Sequence, residues 1–168
     1  MGGYADLENG IKGEPPKKFP HPIFGNCLPH IDVFTDNGYT KEEIKMIKET
    51  QKILHDKNIK VTATTVRVPV FYGHSESINI EFEKQFDLNE LKAALEKAPG
   101  VIVVDDPANN QYPMAIDAED KDEVFVGRIR RDDTVESGVN IWVVADNIRK
   151  GAATNAVQIA QKIMESGK

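Results

Sequence analysis

A single cysteine, Cys27, is all the thiol chemistry in these 168 residues, so no internal disulfide can form. That suits a reducing compartment, and a cytoplasmic setting is expected. Long apolar runs are missing too: no stretch approaches the roughly 20 residues that span a bilayer, and no basic segment leads into an apolar one as in a secretory leader. Positive charge is in deficit, with 21 Lys and Arg against 27 Asp and Glu and a net charge of −6. The cations are scattered rather than striped, which argues against a nucleic-acid or anionic-membrane surface. Neither a G-x-G-x-x-G after a strand nor a G-x-x-x-x-G-K-[ST] occurs, so the chain has no self-contained loop for nucleotide phosphates.

What is present fits one domain with a sizeable core, at 40% hydrophobic and 29% charged residues. The opening "MGGYADLENGIKGEPPKKFPHPIFGNCLPHID" is rich in Gly and Pro and offers no sustained helical or strand period. It reads as a connection inside a longer protein, with residues 1–22 linker-like. Thr40 followed by Glu43 is a capping-box pair, and Ile44, Ile47, Ile53 and Leu54 form a helical stripe, which predicts a helix over about 41–56. "KVTATTVRVPVFYG" and "SINIEFEKQF" read as strands. "DLNELKAALEKAPG" predicts a helix capped by Asp87 and stopped by Pro99-Gly100. Strands are expected at "VIVVDD", "EVFVGRIRRD" and "GVNIWVVAD", and a last helix at "NIRKGAATNAVQIAQKIMES" with Ala152, Val157, Ile159, Ala160 and Ile163 on its apolar side. Strands mixed with three helices, without β-α-β alternation, predict an α+β fold: a mostly antiparallel mixed sheet with helices packed on one face.

The chemistry-bearing stretch is "VRVPVFYGHSES", where Arg67 and His74 share an apolar run. Seven residues apart, they face opposite sides of a regular strand, unless Gly73 marks a bulge or bend that re-aims His74. Pro69 points to an edge strand or a local irregularity. A core strand with two solvated polar residues is an equally good reading. His21, Cys27, His30 and Asp32 lie close in sequence but match no zinc spacing, so no metal is expected, and Cys27 reads as a buried structural thiol. Glu42 and Lys45 share a helical face, where periodicity alone makes them a solvated pair, and "RIRRDD" reads as a mixed-charge surface.

"NGYTKEEIKMIKETQKIL", "VRVPVFYGHSES", "VFVGRIRRD" and "DNIRKGAATNAVQIA", taken in that order and spacing, resemble the aspartate-semialdehyde dehydrogenase family from about Ile23 to the end of the chain. The resemblance covers the later part of that family. It implies a glyceraldehyde-3-phosphate-dehydrogenase-like C-terminal domain, catalytic and dimerising, over 23–146, with a helix at 147–168 that returns to a nucleotide-binding domain. In the family a cysteine attacks the aldehyde of aspartate semialdehyde, hydride passes to NADP and phosphate releases aspartyl phosphate. The physiological direction is the reverse, on the route to lysine, threonine and methionine. By resemblance Arg67 binds the substrate carboxylate, His74 is the general acid/base, Glu42 contacts substrate, Lys45 helps to bind phosphate and Asn147 touches the cofactor.

The family's Rossmann domain and nucleophilic cysteine lie upstream of the matching segment. "GNC" at 25–27 continues as Leu28-Pro29, so Cys27 is not expected to be the catalytic thiol. Half an active site is expected, with carboxylate capture and proton transfer, on a domain that forms a homodimer through its sheet. The alternatives are a non-catalytic dimeric binding domain and an enzyme of the N-acetyl-glutamyl-phosphate reductase type.

Overall fold

Thr40 and Glu43 form the capping box that their spacing predicts. In the computed structural model, which describes residues 2–167, Thr40 Oγ1 accepts the Glu43 N–H at 3.3 Å and Glu43 Oε2 accepts the Thr40 N–H at 2.8 Å. Two orphan donors at a helix start are thereby satisfied reciprocally. The helix runs over Lys41–Ile53. Its expected apolar stripe is only partly covered: Ile44 and Ile47 are half-buried, whereas Ile53 and Leu54 are exposed.

The chain divides into two units, Met1–Phe71 and Tyr72–Lys168. In the first, a helix not foreseen in the sequence, α1, spans Gly2–Ile11 ahead of the Lys41–Ile53 helix, α2. The Gly and Pro content hid α1, but an apolar cluster and a buried carboxylate in the segment supply what periodicity did not. Buried Leu7 packs with Ile23 and Leu28, and half-buried Phe19 covers that cluster. Buried Asp6 accepts backbone N–H groups from Lys17, Lys18 and Phe19 at 2.7, 2.7 and 2.6 Å, satisfying donors that a coil would otherwise leave to water.

The expected strand at 60–73 is also absent. Its backbone is irregular, and pairing is reduced to one antiparallel bridge, Leu28 with Arg67. Pro69 removes a ladder donor in the middle of the run, and extended pairing stops there.

The second unit holds a four-stranded sheet. Its strands are β1 His74–Glu81, β2 Val101–Val103, β3 Val124–Asp132 and β4 Gly138–Ala145, in the order β1-β4-β3-β2. β1 pairs with β4 and β4 with β3 antiparallel, while β2 joins β3 in parallel, giving the mixed, mostly antiparallel sheet. Helix α3, Leu88–Lys97, is capped by Asp87, whose Oδ1 accepts from Asn89 and Glu90 at 2.8 and 3.0 Å. It lays Leu88, Leu91 and Leu95 on one sheet face, over Val126, Ile129 and Val139. Alternation sends Phe125, Trp142 and Val144 to the opposite face, where a short helix unmarked in the sequence, α4 at Ala115–Ala118, packs buried Ala118 against them.

A bulge interrupts β3 between Gly127 and Arg130, with Arg128 at φ +52. It restores the apolar face, because Ile129 joins Val126 in the core despite its odd spacing. The last helix begins later than expected: a five-residue π turn at Arg149–Ala153 precedes α5, Thr154–Glu165. Val157, Ile159 and Ile163, expected to form its packing side, are all exposed. Among the described residues no helix is long and apolar enough to cross a membrane.

Candidate functional site

Helix periodicity sets Glu42 and Lys45 on one face of α2, and their side chains meet, Lys45 Nζ to Glu42 Oε1 at 3.3 Å. The hydrogen bond and charge of Glu42 hold the Lys45 ammonium above its ordinary pKa. The residue after Glu42 turns inward. Glu43 is buried, and besides its capping bond its Oε1 accepts the Thr65 N–H at 2.8 Å. Hydrogen bonds from the Thr40 and Thr65 backbone outweigh desolvation and lower its pKa. One carboxylate therefore links α2 to the segment that presents Arg67 two residues later. The Arg67 backbone exchanges both hydrogen bonds with Leu28, at 2.8 and 2.9 Å. Its exposed guanidinium lies 5.1 Å from the centroid of the Phe19 ring.

His74 belongs to the second unit, where Gly73 turns the chain into β1 with φ +83. A Cβ there would stand 2.9 Å from the Ala145 carbonyl oxygen, so the bend foreseen at this glycine is a requirement of space as well as of φ. His74 opens β1 opposite Ala145 and, with Glu76 two residues on, shares the α3 face of the sheet. Both line an open concavity of about 240 Å³ with Val143, Asn147, Lys150 and Gly151. The structure thus groups His74 with Asn147 in one unit and Glu42, Lys45 and Arg67 in the other.

Asn147 is held by its neighbour. Buried Asp146 accepts N–H groups from Ile148 and Arg149 through Oδ1, at 2.8 and 3.2 Å, and from Asp120 through Oδ2 at 3.0 Å. Burial raises the Asp146 pKa, but these three donors and the Arg149 charge outweigh it, and the net shift is downward. Arg149 Nε also pairs with Asp122 Oδ1 at 2.7 Å, and Thr154 Oγ1 donates to the same oxygen at 2.9 Å. Bonding to Arg149 and Thr154 lowers the Asp122 pKa.

Glu76 and Lys150 were not foreseen as neighbours of this concavity. The signals existed: Glu76 is in phase with His74 on a strand, and Lys150 is three residues beyond Asn147 on a helical turn. Cys27, expected to be a buried thiol, is exposed. It follows a turn in which the Asn26 N–H bonds the Ile23 carbonyl, and that turn carries the thiol outward, clear of the Leu7, Ile23 and Leu28 cluster. Among the described residues no group of three or more His, Cys, Asp or Glu is placed to hold a metal ion.

Residues 4–150 match the family described as semialdehyde dehydrogenase, dimerisation domain. The chain is 62% identical over 169 residues to the aspartate-semialdehyde dehydrogenase of Aquifex aeolicus, covering 96% of this chain and 50% of that protein. The crystal structure of aspartate semialdehyde dehydrogenase II from Vibrio cholerae, complexed with ASA, superposes with a TM-score of 0.89 at 46% identity, over 97% of this chain and 50% of that one. An aspartate semialdehyde dehydrogenase with NADP from Candida albicans gives a TM-score of 0.68 at 25% identity, over 85% and 45%. The chain spans about half the length of the curated relatives that it matches.

Proposed function

The chain belongs to the semialdehyde dehydrogenase dimerisation-domain family, and we propose that it supplies the substrate-capturing and proton-transferring half of an NADP-dependent aspartate-semialdehyde dehydrogenase. In the biosynthetic direction aspartyl phosphate, NADPH and a proton give aspartate semialdehyde, NADP and phosphate. The setting is the cytoplasm, and the pathway serves lysine, threonine and methionine.

The observation that carries this reading is the pair of hydrogen bonds that Glu43 accepts, from the Thr40 N–H at the start of α2 and from the Thr65 N–H two residues before Arg67. A substrate with a carboxylate at one end and an acyl phosphate at the other needs two cations held at a fixed separation. Arg67 offers a planar pair of N–H donors suited to the carboxylate. Lys45, on the helix that Glu43 anchors, offers a compact charge to phosphate, and Glu42 meets the substrate's ammonium group. His74, exposed at the start of β1, moves the proton that accompanies acyl transfer.

When bound, the dinucleotide supplies the hydride. The residues here fit one edge of it only. Asn147 is half-buried and lines the His74 concavity, where its side-chain amide can meet a carboxamide. The remainder of that site, and the nucleophilic thiol, belong to the nucleotide-binding half that members of the family carry. We also assign α5, with its exposed apolar residues, to contact with that half.

The test mixes the purified chain with a separately produced nucleotide-binding half and follows NADPH formation from aspartate semialdehyde and phosphate. Turnover by the mixture alone is the expected result. Turnover by the chain alone would overturn the half-site reading, and none from a mixture that demonstrably associates would favour a non-catalytic binding domain.

A further inference from the structure

We propose that Phe19 is a positioning residue for Arg67, its ring seating the guanidinium so that the N–H edge stays open to an incoming carboxylate. The inference rests on the reading of Arg67 as the carboxylate-binding residue and adds the element that orients it.

Arg67 needs such an element. It lies in an irregular segment where one bridge to Leu28 fixes the backbone and no sheet ladder holds the neighbouring residues. Its side chain is exposed, and a long side chain free in water samples many rotamers. The Phe19 ring, 5.1 Å from the guanidinium carbon, is within the range at which a cation is drawn to an aromatic face. An aromatic ring brings no oxygen acceptor to the guanidinium, whereas a neighbouring carboxylate would occupy the pair of N–H donors that a ligand needs. The ring can therefore orient Arg67 without competing with substrate.

Phe19 is itself fixed from two directions. Its ring covers the cluster of Leu7, Ile23 and Leu28, and its backbone N–H is held by buried Asp6 at 2.6 Å. Leu28 belongs to that same cluster and also pairs with the Arg67 backbone. Side chain and main chain of Arg67 are thus referenced to one small core, built from the segment whose composition looks like a linker.

The experiment uses the 168-residue chain in three variants: Phe19→Leu, which keeps an apolar side chain on the cluster, Phe19→Tyr, which keeps the ring, and Arg67→Lys. The Arg67 Nε–Hε resonance is followed by NMR, and the affinity for aspartate semialdehyde is measured by titration. In Phe19→Leu the resonance should lose its ring-current shift and affinity should fall about 2–5-fold, the scale of an exposed cation–aromatic contact. Phe19→Tyr should restore both, which a purely structural role in the cluster does not require. An unchanged Arg67 resonance and affinity in Phe19→Leu would overturn this inference and leave the function of Arg67 untouched. Unaltered binding in Arg67→Lys, or none by the unsubstituted chain, would instead overturn the carboxylate reading on which the inference rests.

Discussion

Oε1 of buried Glu43 accepts the Thr65 N–H at 2.8 Å while Oε2 accepts that of Thr40, so one carboxylate joins the start of α2 to the strand-like segment bearing Arg67. The two donors lie on different oxygens, and a carboxamide replaces one of these with an NH2 that cannot accept. Glu43→Gln should therefore leave either Thr40 or Thr65 without its partner and lower Tm by about 2–8 °C. Thermal unfolding measures the loss, and a Tm equal to that of the unsubstituted chain would count against the tie.

The sign of its pH dependence follows from the direction of the shift. Glu43 and Asp122 both sit below their ordinary values of 4.5 and 3.8, so each binds a proton more readily when unfolded. The stability they contribute is fully present above those ordinary values and is lost as pH falls through the lower, folded ones. A Tm profile from pH 7 down to 3 should drop at its acid end, and Glu43→Gln should flatten that drop. Parallel profiles for the two proteins would show that Glu43 has no part in it.

The sequence disclosed most where one residue type answers one local need. Thr40 and Glu43, and Asp87, each have a side chain for a reason visible within four positions, whereas Gly73 marks its bend locally but also clears the Ala145 oxygen, far along the chain. The mixed sheet was legible for the same reason, through alternation in β1, β3 and β4. What escaped depends on partners distant in sequence. The run around Arg67 has strand-forming residues, yet finds no strand to pair with and stays irregular. Helix α1 rests on Leu7 meeting Ile23 and Leu28, and on Asp6 reaching backbone donors eleven to thirteen residues away. Of the site, Arg67, His74, Glu42, Lys45 and Asn147 came from motif resemblance, and periodicity alone made Glu42 and Lys45 an ordinary surface pair.

Gly73 limits how His74 can be presented. An alanine would have to hold φ +83 with its Cβ 2.9 Å from the Ala145 oxygen, or else move the first residues of β1. Gly73→Ala should cost about 1–3 kcal/mol, the range for a strained backbone residue. It should also shift the His74 ring resonances more than those of His55. Unaltered His74 signals would mean that the bend does not set the histidine.

Association is expected through the sheet of the second unit. Asn79 on edge strand β1 reaches Asn140 and Asp132 by exposed side-chain hydrogen bonds, so the β1 side of the face that α4 covers around Phe125, Trp142 and Val144 is polar and open. The chain belongs to the dimerisation-domain family, a twofold interface needs a self-complementary surface, and the sheet is the surface proposed to supply it. Sedimentation velocity at tens of micromolar should show a homodimer. Monomer alone at that concentration would count against it.

Asp146 gives a prediction with spatial resolution. Its Oδ1 serves Ile148 and Arg149 within the turn, whereas Oδ2 alone serves the Asp120 N–H from another loop. In Asp146→Asn the single acceptor oxygen does most by keeping the two local donors, which leaves the amide nitrogen facing the Asp120 N–H, donor against donor. Stability should fall by about 0.5–1.5 kcal/mol, as for a lost hydrogen bond on an exposed residue whose donor water can reach. Hydrogen exchange should quicken at Asp120 while Ile148 and Arg149 stay protected. That loop also carries Asp122, the partner of Arg149 and Thr154, so its loosening should reach the start of α5 and the Lys150 side of the His74 concavity. Equal exchange at Asp120 in both proteins would show that the turn bearing Asn147 is held by its own local bonds and not by this carboxylate.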